Sequence, residues 1–118
     1  MKRKIIIHRY YLLVFIGLLL LCRAGLTKDE AGDTASVTIE SFQFQPQKIT
    51  VKKGGSVTFT NHDAAPHTVS PANGAAFSGT GRLLKGDSKA VQFNEVGTQR
   101  YVCDFHPSMK GTVVVVDK

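Results

Sequence analysis

Gln99-Arg100-Tyr101-Val102-Cys103-Asp104-Phe105-His106-Pro107-Ser108-Met109-Lys110-Gly111-Thr112-Val113-Val114-Val115-Val116 is the stretch on which the fold and the chemistry both turn. Residues 99–103 are a strand candidate, and 112–116 form a β-branched run expected as a strand buried on both faces. Between them lies a turn. Pro107 fixes its own φ and has no backbone N–H, and Gly111 lets the chain leave the turn for the last strand. Tyr101, Cys103 and Phe105 share a parity, so the Cys103 sulfur points inward as the strand ends. The turn then brings His106 and Met109 back around the same centre.

Upstream, the chain continues as short β-type runs. Val37-Thr38-Ile39-Glu40 alternates apolar and polar, and Phe42-Gln43-Phe44 alternates on the opposite parity. The parity switch at Ser41 predicts a bulge or bend. Ile49-Thr50-Val51 and Val57-Thr58-Phe59-Thr60 alternate again, with Lys52-Lys53-Gly54-Gly55 expected as a hairpin turn between them. Residues 61–89 hold Pro66, Pro71 and several glycines and are expected to be loop-rich. Residues 90–93 are a further strand candidate. Phe42, Phe44, Phe59 and Phe93 are expected in the core, and His62 in solvent. No long segment has helical periodicity. Short strands with Gly/Pro turns predict an all-β antiparallel sandwich or barrel. A core of about 80 residues is marginal from burial alone, so a metal or disulfide is expected to help.

The N-terminus is a separate matter. Of the net charge of +6 in this 118-residue chain, +5 comes from Lys2, Arg3, Lys4, Arg9 and Arg23. The basic pI therefore describes a leader, not a nucleic-acid-binding face, and there is no Trp for base stacking. A basic start followed by the uncharged apolar run 10–22 predicts a signal peptide over 1–24, with Cys22-Arg23-Ala24 at the cleavage site. A retained anchor is the alternative, though the run is shorter than a spanning helix requires. Lipidation at Cys22 is a third, against which stands Leu19-Leu20-Leu21, where small residues normally precede the cysteine. Residues 25–36 are expected to be a flexible polar linker, and 37–118 the folded domain.

Removal of the leader leaves Cys103 as the only cysteine. An unpaired cysteine in a small exported domain needs another explanation than an internal disulfide. Cys103, His106 and Met109 stand at three-residue intervals, and His67 lies upstream beside Pro66. Thiolate and thioether are soft ligands, and imidazole suits copper in either oxidation state. Two His and one Cys in a plane with a weak axial Met define a blue-copper site. Zinc rarely takes Met, and an iron–sulfur cluster needs more cysteines.

These motifs carry a resemblance. Asn61 with Pro66-His67-Thr68-Val69, then Phe93-Asn94-Glu95-Val96-Gly97-Thr98, then the Cys103-to-Gly111 loop and the closing valine run resemble the cupredoxins. The short Cys-x-x-His-x-x-Met loop is similar to that of amicyanin-like members, with plastocyanin-like members more distant. The resemblance implies an eight-stranded Greek-key sandwich holding one copper ion. It implies His67, Cys103, His106 and Met109 as ligands, with Asn61, Pro66, Thr68 and Pro107 around them. It also implies His106 as the point where electrons enter and leave. Thr68 departs from the Asn usual after the first ligand His, where it braces the Cys loop.

The function expected is single-electron transport between redox proteins, such as a c-type cytochrome or a dehydrogenase, in the periplasm. Membrane contact is expected only through a retained leader or a lipidated Cys22. Copper delivery, storage or sensing is the alternative. An enzyme is disfavoured, because four protein ligands leave no open position and the only candidate thiol is assigned to metal.

Overall fold

A computed structural model describes residues 31–117. The leader, its cleavage site, Cys22 and residues 25–30 of the expected linker lie outside the described residues.

Seven strands and no helix form among the described residues: β1 (Gly32–Glu40), β2 (Gln43–Gln45), β3 (Lys48–Asn61), β4 (Ser70–Ala72), β5 (Ser88–Gln92), β6 (Gly97–Val102) and β7 (Lys110–Val116). They run in the order β2-β1-β3-β7-β6-β4, with β5 also paired to β3, and the sheet does not close. This is the all-β Greek-key sandwich. The resemblance implied eight strands; the segment before β5 supplies only β4 and an isolated bridge between His67 and Leu83.

The long β3 makes the sandwich. Its first part, Lys48 to Lys52, pairs with β7, and its last part, Ser56 to Asn61, pairs with β1 and β5. Lys52-Lys53-Gly54-Gly55 is therefore not a hairpin turn, since the two alternating runs never pair with each other. It is the point where one strand passes from one layer to the other, with Gly54 at φ 85°. The flanking backbone is held by Phe93, which accepts from the Gly54 N–H at 2.7 Å and donates to the Gly55 carbonyl at 2.9 Å. The crossing also explains a second difference from expectation. Both β1–β3 and β3–β7 are parallel, and side-chain alternation carries no information on strand direction.

β1 begins at Gly32, so residues 32–36 are strand and not linker. Parallel pairing with β3 engages backbone groups, which a polar side-chain composition does not prevent. In β7, Val113 and Val115 are buried while Val114 and Val116 are half-buried, so only one face meets the core. Phe42 is 50% exposed rather than in the core, whereas Phe44, Phe59 and Phe93 are buried.

Phe42 leaves the core because of the turn it occupies. Ser41 and Phe42 have φ of 53° and 58° and join β1 to β2 as a two-residue hairpin, with Glu40 opposite Gln43. Two consecutive positive φ values define the turn favoured in tight hairpins, which normally takes Asn-Gly. Left-handed backbone costs a non-glycine residue about 1–2 kcal/mol, so something outside the hairpin holds Ser41 and Phe42 there.

The core closes around Tyr101, which is buried and stacks edge-on against Phe44 (4.8 Å between centroids) and Phe59 (5.4 Å). Its ring lies over Gly111, its partner across β6 and β7. A Cβ at Gly111 would strike the ring atoms Cζ and Cε2 and the hydroxyl, which the two phenylalanines prevent from moving aside. Gly111→Ala is expected to destabilise the apo protein by about 1–3 kcal/mol, as overpacking does. A urea unfolding midpoint equal to that of the native sequence would contradict this.

Candidate metal centre

Three donors converge at one end of the sandwich. Cys103 follows β6 and is buried; His67 sits in the loop between β3 and β4 and is buried; His106 lies in the loop before β7 and is half-buried. The Cys103 sulfur is 3.7 Å from His67 Nδ1 and 3.9 Å from His106 Nδ1. The three donor atoms all lie within 4.8 Å of one another.

These spacings suit a shared metal ion. Bonds of about 2.0–2.1 Å to nitrogen and about 2.3 Å to sulfur, at about 120° to each other, put the two donors about 3.8 Å apart. The donor chemistry, one thiolate and two imidazoles, is that of a trigonal copper site. Among the described residues this is the only grouping of His, Cys or carboxylates able to hold a metal.

The loop that carries Cys103 and His106 is closed by its own backbone. The Cys103 N–H donates to the Met109 carbonyl at 3.1 Å, and the Met109 N–H donates to the His106 carbonyl at 2.9 Å. Met109 is thereby returned beside Cys103, and its side chain is buried in the same cluster. Pro107 lies exposed at the tip of the loop, and Pro66 is half-buried directly before His67.

Thr68 ties this loop to the His67 loop. Its N–H donates to the Cys103 sulfur at 3.4 Å, and its hydroxyl accepts the Asp104 N–H at 2.9 Å. Ser70 Oγ lies 3.1 Å from that hydroxyl and donates to the Asp104 carboxylate at 2.8 Å. A threonine hydroxyl thus reaches the Cys loop from this position. An N–H donated to a thiolate withdraws charge from the sulfur, which tunes a metal held there.

Asn61, at the end of β3, is fully buried. Its side-chain N–H groups donate to the carbonyls of Ala65 and Leu83, each at 2.9 Å, and its Oδ1 accepts the Asp63 N–H at 2.9 Å. Leu83 in turn exchanges backbone bonds with His67 at 3.1 and 2.8 Å. The His67 backbone is therefore fixed from both sides. His62 is exposed and outside the cluster.

Three residues at the site were not anticipated from the sequence. Asp63 Oδ2 lies 2.9 Å from His67 Nε2. Its carboxylate also accepts the N–H groups of Ser41 at 2.8 Å and Phe42 at 2.9 Å. Burial pushes the Asp63 pKa up, but the hydrogen bonds from Phe42, His67 and Ser41 outweigh it and hold the carboxyl below its ordinary value. Phe42 sets its ring edge-on against both imidazoles, 5.1 Å from His67 and 4.9 Å from His106 between centroids. Leu83 is the strand-like partner of His67. The only signal for them was weak: an acid four residues before His67, and a leucine pair inside a glycine-rich loop.

Comparison with known proteins agrees with the fold. Residues 11–115 match the family model described as a cupredoxin-like domain, and the chain belongs to the cupredoxins, a family of copper-binding electron-transport proteins. Within that family it is similar to amicyanin. It is 40% identical to amicyanin-alpha of Methylorubrum extorquens over 72% of this chain and 73% of the relative. It is 35% identical to the plastocyanin of Scenedesmus fuscus over 61% of this chain and 85% of the relative. A solved structure of the oxidised state of an amicyanin variant superposes with a TM-score of 0.65 at 32% identity, covering 76% of this chain and 86% of that one. Copper is the cofactor.

Proposed function

We propose that this chain is an exported carrier of single electrons, and that His67 Nδ1, Cys103 Sγ, His106 Nδ1 and the Met109 sulfur hold its one copper ion. The observation that supports this most directly is a buried cysteine sulfur set between two imidazole nitrogens at 3.7 and 3.9 Å. Bound copper supplies the one-electron couple between Cu(I) and Cu(II).

The chain's own residues do the rest. Buried Cys103, His67 and Met109 keep water from the centre. The Asn61 and Thr68 hydrogen bonds hold both loops in place, so the donors need little rearrangement when the charge on the metal changes. His106 is half-buried, and Phe42 and Phe105 beside it in space and sequence are each 50% exposed. An imidazole edge within an apolar rim suits transient contact with a redox partner, and His106 is the access point for electrons. A c-type cytochrome or a dehydrogenase is the kind of partner expected. Four protein donors leave no position for a substrate, which favours a carrier over an enzyme. Residues 1–24 serve as the export leader, and the periplasm is the compartment.

Titration of the purified protein with Cu(II), followed by visible absorption and electron paramagnetic resonance, tests this reading. One equivalent should give an intense blue band with a type 1 spectrum. Reduction and reoxidation should leave the copper bound in the presence of a competing chelator. Ready loss of Cu(I) to the chelator would instead indicate delivery or storage.

A further inference from the structure

We propose that Asp63 is the positioning residue of the copper site, setting the His67 ring and the Phe42 brace together and biasing bound copper toward Cu(II). The inference rests on the copper-carrier reading above and deepens it.

Three donors meet on one carboxylate. Oδ1 accepts the Ser41 N–H at 2.8 Å; Oδ2 accepts the Phe42 N–H at 2.9 Å and faces His67 Nε2 at 2.9 Å. An ionised carboxylate only accepts, so Nε2 carries the proton and the His67 lone pair is left on Nδ1. That is the atom 3.7 Å from the Cys103 sulfur. A ligand histidine whose second nitrogen donates to a carboxylate is fixed in tautomer and orientation and is a stronger donor.

The same carboxylate holds the left-handed turn at Ser41 and Phe42, accepting the N–H of both residues. Residues kept in sparsely populated backbone regions persist where their surroundings over-determine them, and they gather at functional sites. Here the strained turn has a product. It places the Phe42 ring edge-on against His67 and His106, whose own centroids are 5.0 Å apart. Asp63 is itself fixed, since its N–H donates to buried Asn61 and its side chain is 12% exposed. One negative charge thus orders one imidazole directly and leans an aromatic ring on both.

The direction of the redox effect follows from charge. A carboxylate hydrogen-bonded to a ligand imidazole favours the more positive metal, so its removal favours Cu(I) and raises the potential. In Asp63→Asn the amide cannot accept from all three groups, and its N–H₂ opposes the His67 Nε2–H. Copper affinity of the full chain should fall about 10–100-fold. Each tenfold loss confined to Cu(II) should raise the potential by about 59 mV.

The test is cyclic voltammetry and competitive Cu(II) titration of native and Asp63→Asn protein. A native protein that fails to bind copper as a blue site would sink the carrier reading itself. A native protein that is blue, with Asp63→Asn unchanged in potential and within about twofold in affinity, would overturn only the role of Asp63. If Asp63→Asn alone does not fold, the comparison is made in a background of Ser41→Asn with Phe42→Gly. Asn-Gly forms this turn without help, so Asp63→Asn there isolates the effect on His67, and the same two criteria apply.

Discussion

Cys103→Ser abolishes the intense visible absorption of the copper-loaded protein and lowers its Cu(II) affinity at least about a hundredfold, while leaving the apo fold nearly as stable as before. The optical effect follows from the donor, since the thiolate is the soft ligand that distinguishes this site. The affinity effect should exceed the 10–100-fold loss typical of residues behind the ligands. The unchanged fold is the less obvious half. Cys103 is fully buried, and a buried hydroxyl without a partner would be destabilising by about 1–3 kcal/mol. A serine here has a partner, because the Thr68 N–H already points at the sulfur from 3.4 Å and the two histidine nitrogens lie close by. The thermal midpoint of the apo variant should therefore lie within a few degrees of the native one. Visible absorption, electron paramagnetic resonance and apo thermal unfolding together check it. A blue band surviving in the variant would remove Cys103 from the donor set.

The contrast between donors and their supports also explains what the sequence made legible. Cys103, His106 and Met109 are close in sequence, and their residue types are rare enough that spacing alone implies a metal. His67 could be joined to them because Pro66-His67 and Asn61 match a family pattern. The strands from β5 to β7 were legible from local composition, β7 from its β-branched run of Thr112 to Val116. What could not be read depends on contacts between distant segments. Lys52-Lys53-Gly54-Gly55 has the composition of a hairpin, yet Gly54 and Gly55 bond to Phe93, far along the chain. The parity switch at Ser41 was visible, but its consequence, a phenylalanine brought out of the core onto two histidines, depends on Asp63 from another loop. Local periodicity reports which face a side chain takes; it does not report which partner fixes the backbone.

Asn61→Ala is expected to destabilise the apo protein by about 3 kcal/mol and to weaken copper binding as well. Three hydrogen bonds of the fully buried Asn61 side chain disappear together. The groups left behind are the carbonyls of Ala65 and Leu83 and the N–H of Asp63. A buried polar group deprived of its partner loses about 1–3 kcal/mol. Ala65 is only half-buried, so water can replace its bond, and the sum stays near the lower end of three such terms. The effect on copper has a separate route. Leu83 and Asp63 are the residues that hold the His67 backbone and ring, respectively. Loosening both lets His67 drift, while the self-closed loop from Cys103 to Met109 is untouched. Asn61→Asp separates these contributions. It keeps an acceptor for the Asp63 N–H but turns an oxygen toward two carbonyls, so it should be at least as destabilising as Asn61→Ala. Urea midpoints of the apo variants and competitive Cu(II) titration check both effects. A loss of under about 0.5 kcal/mol in Asn61→Ala, the range of ordinary surface substitutions, would show that the loop between β3 and β4 is held by something other than this side chain.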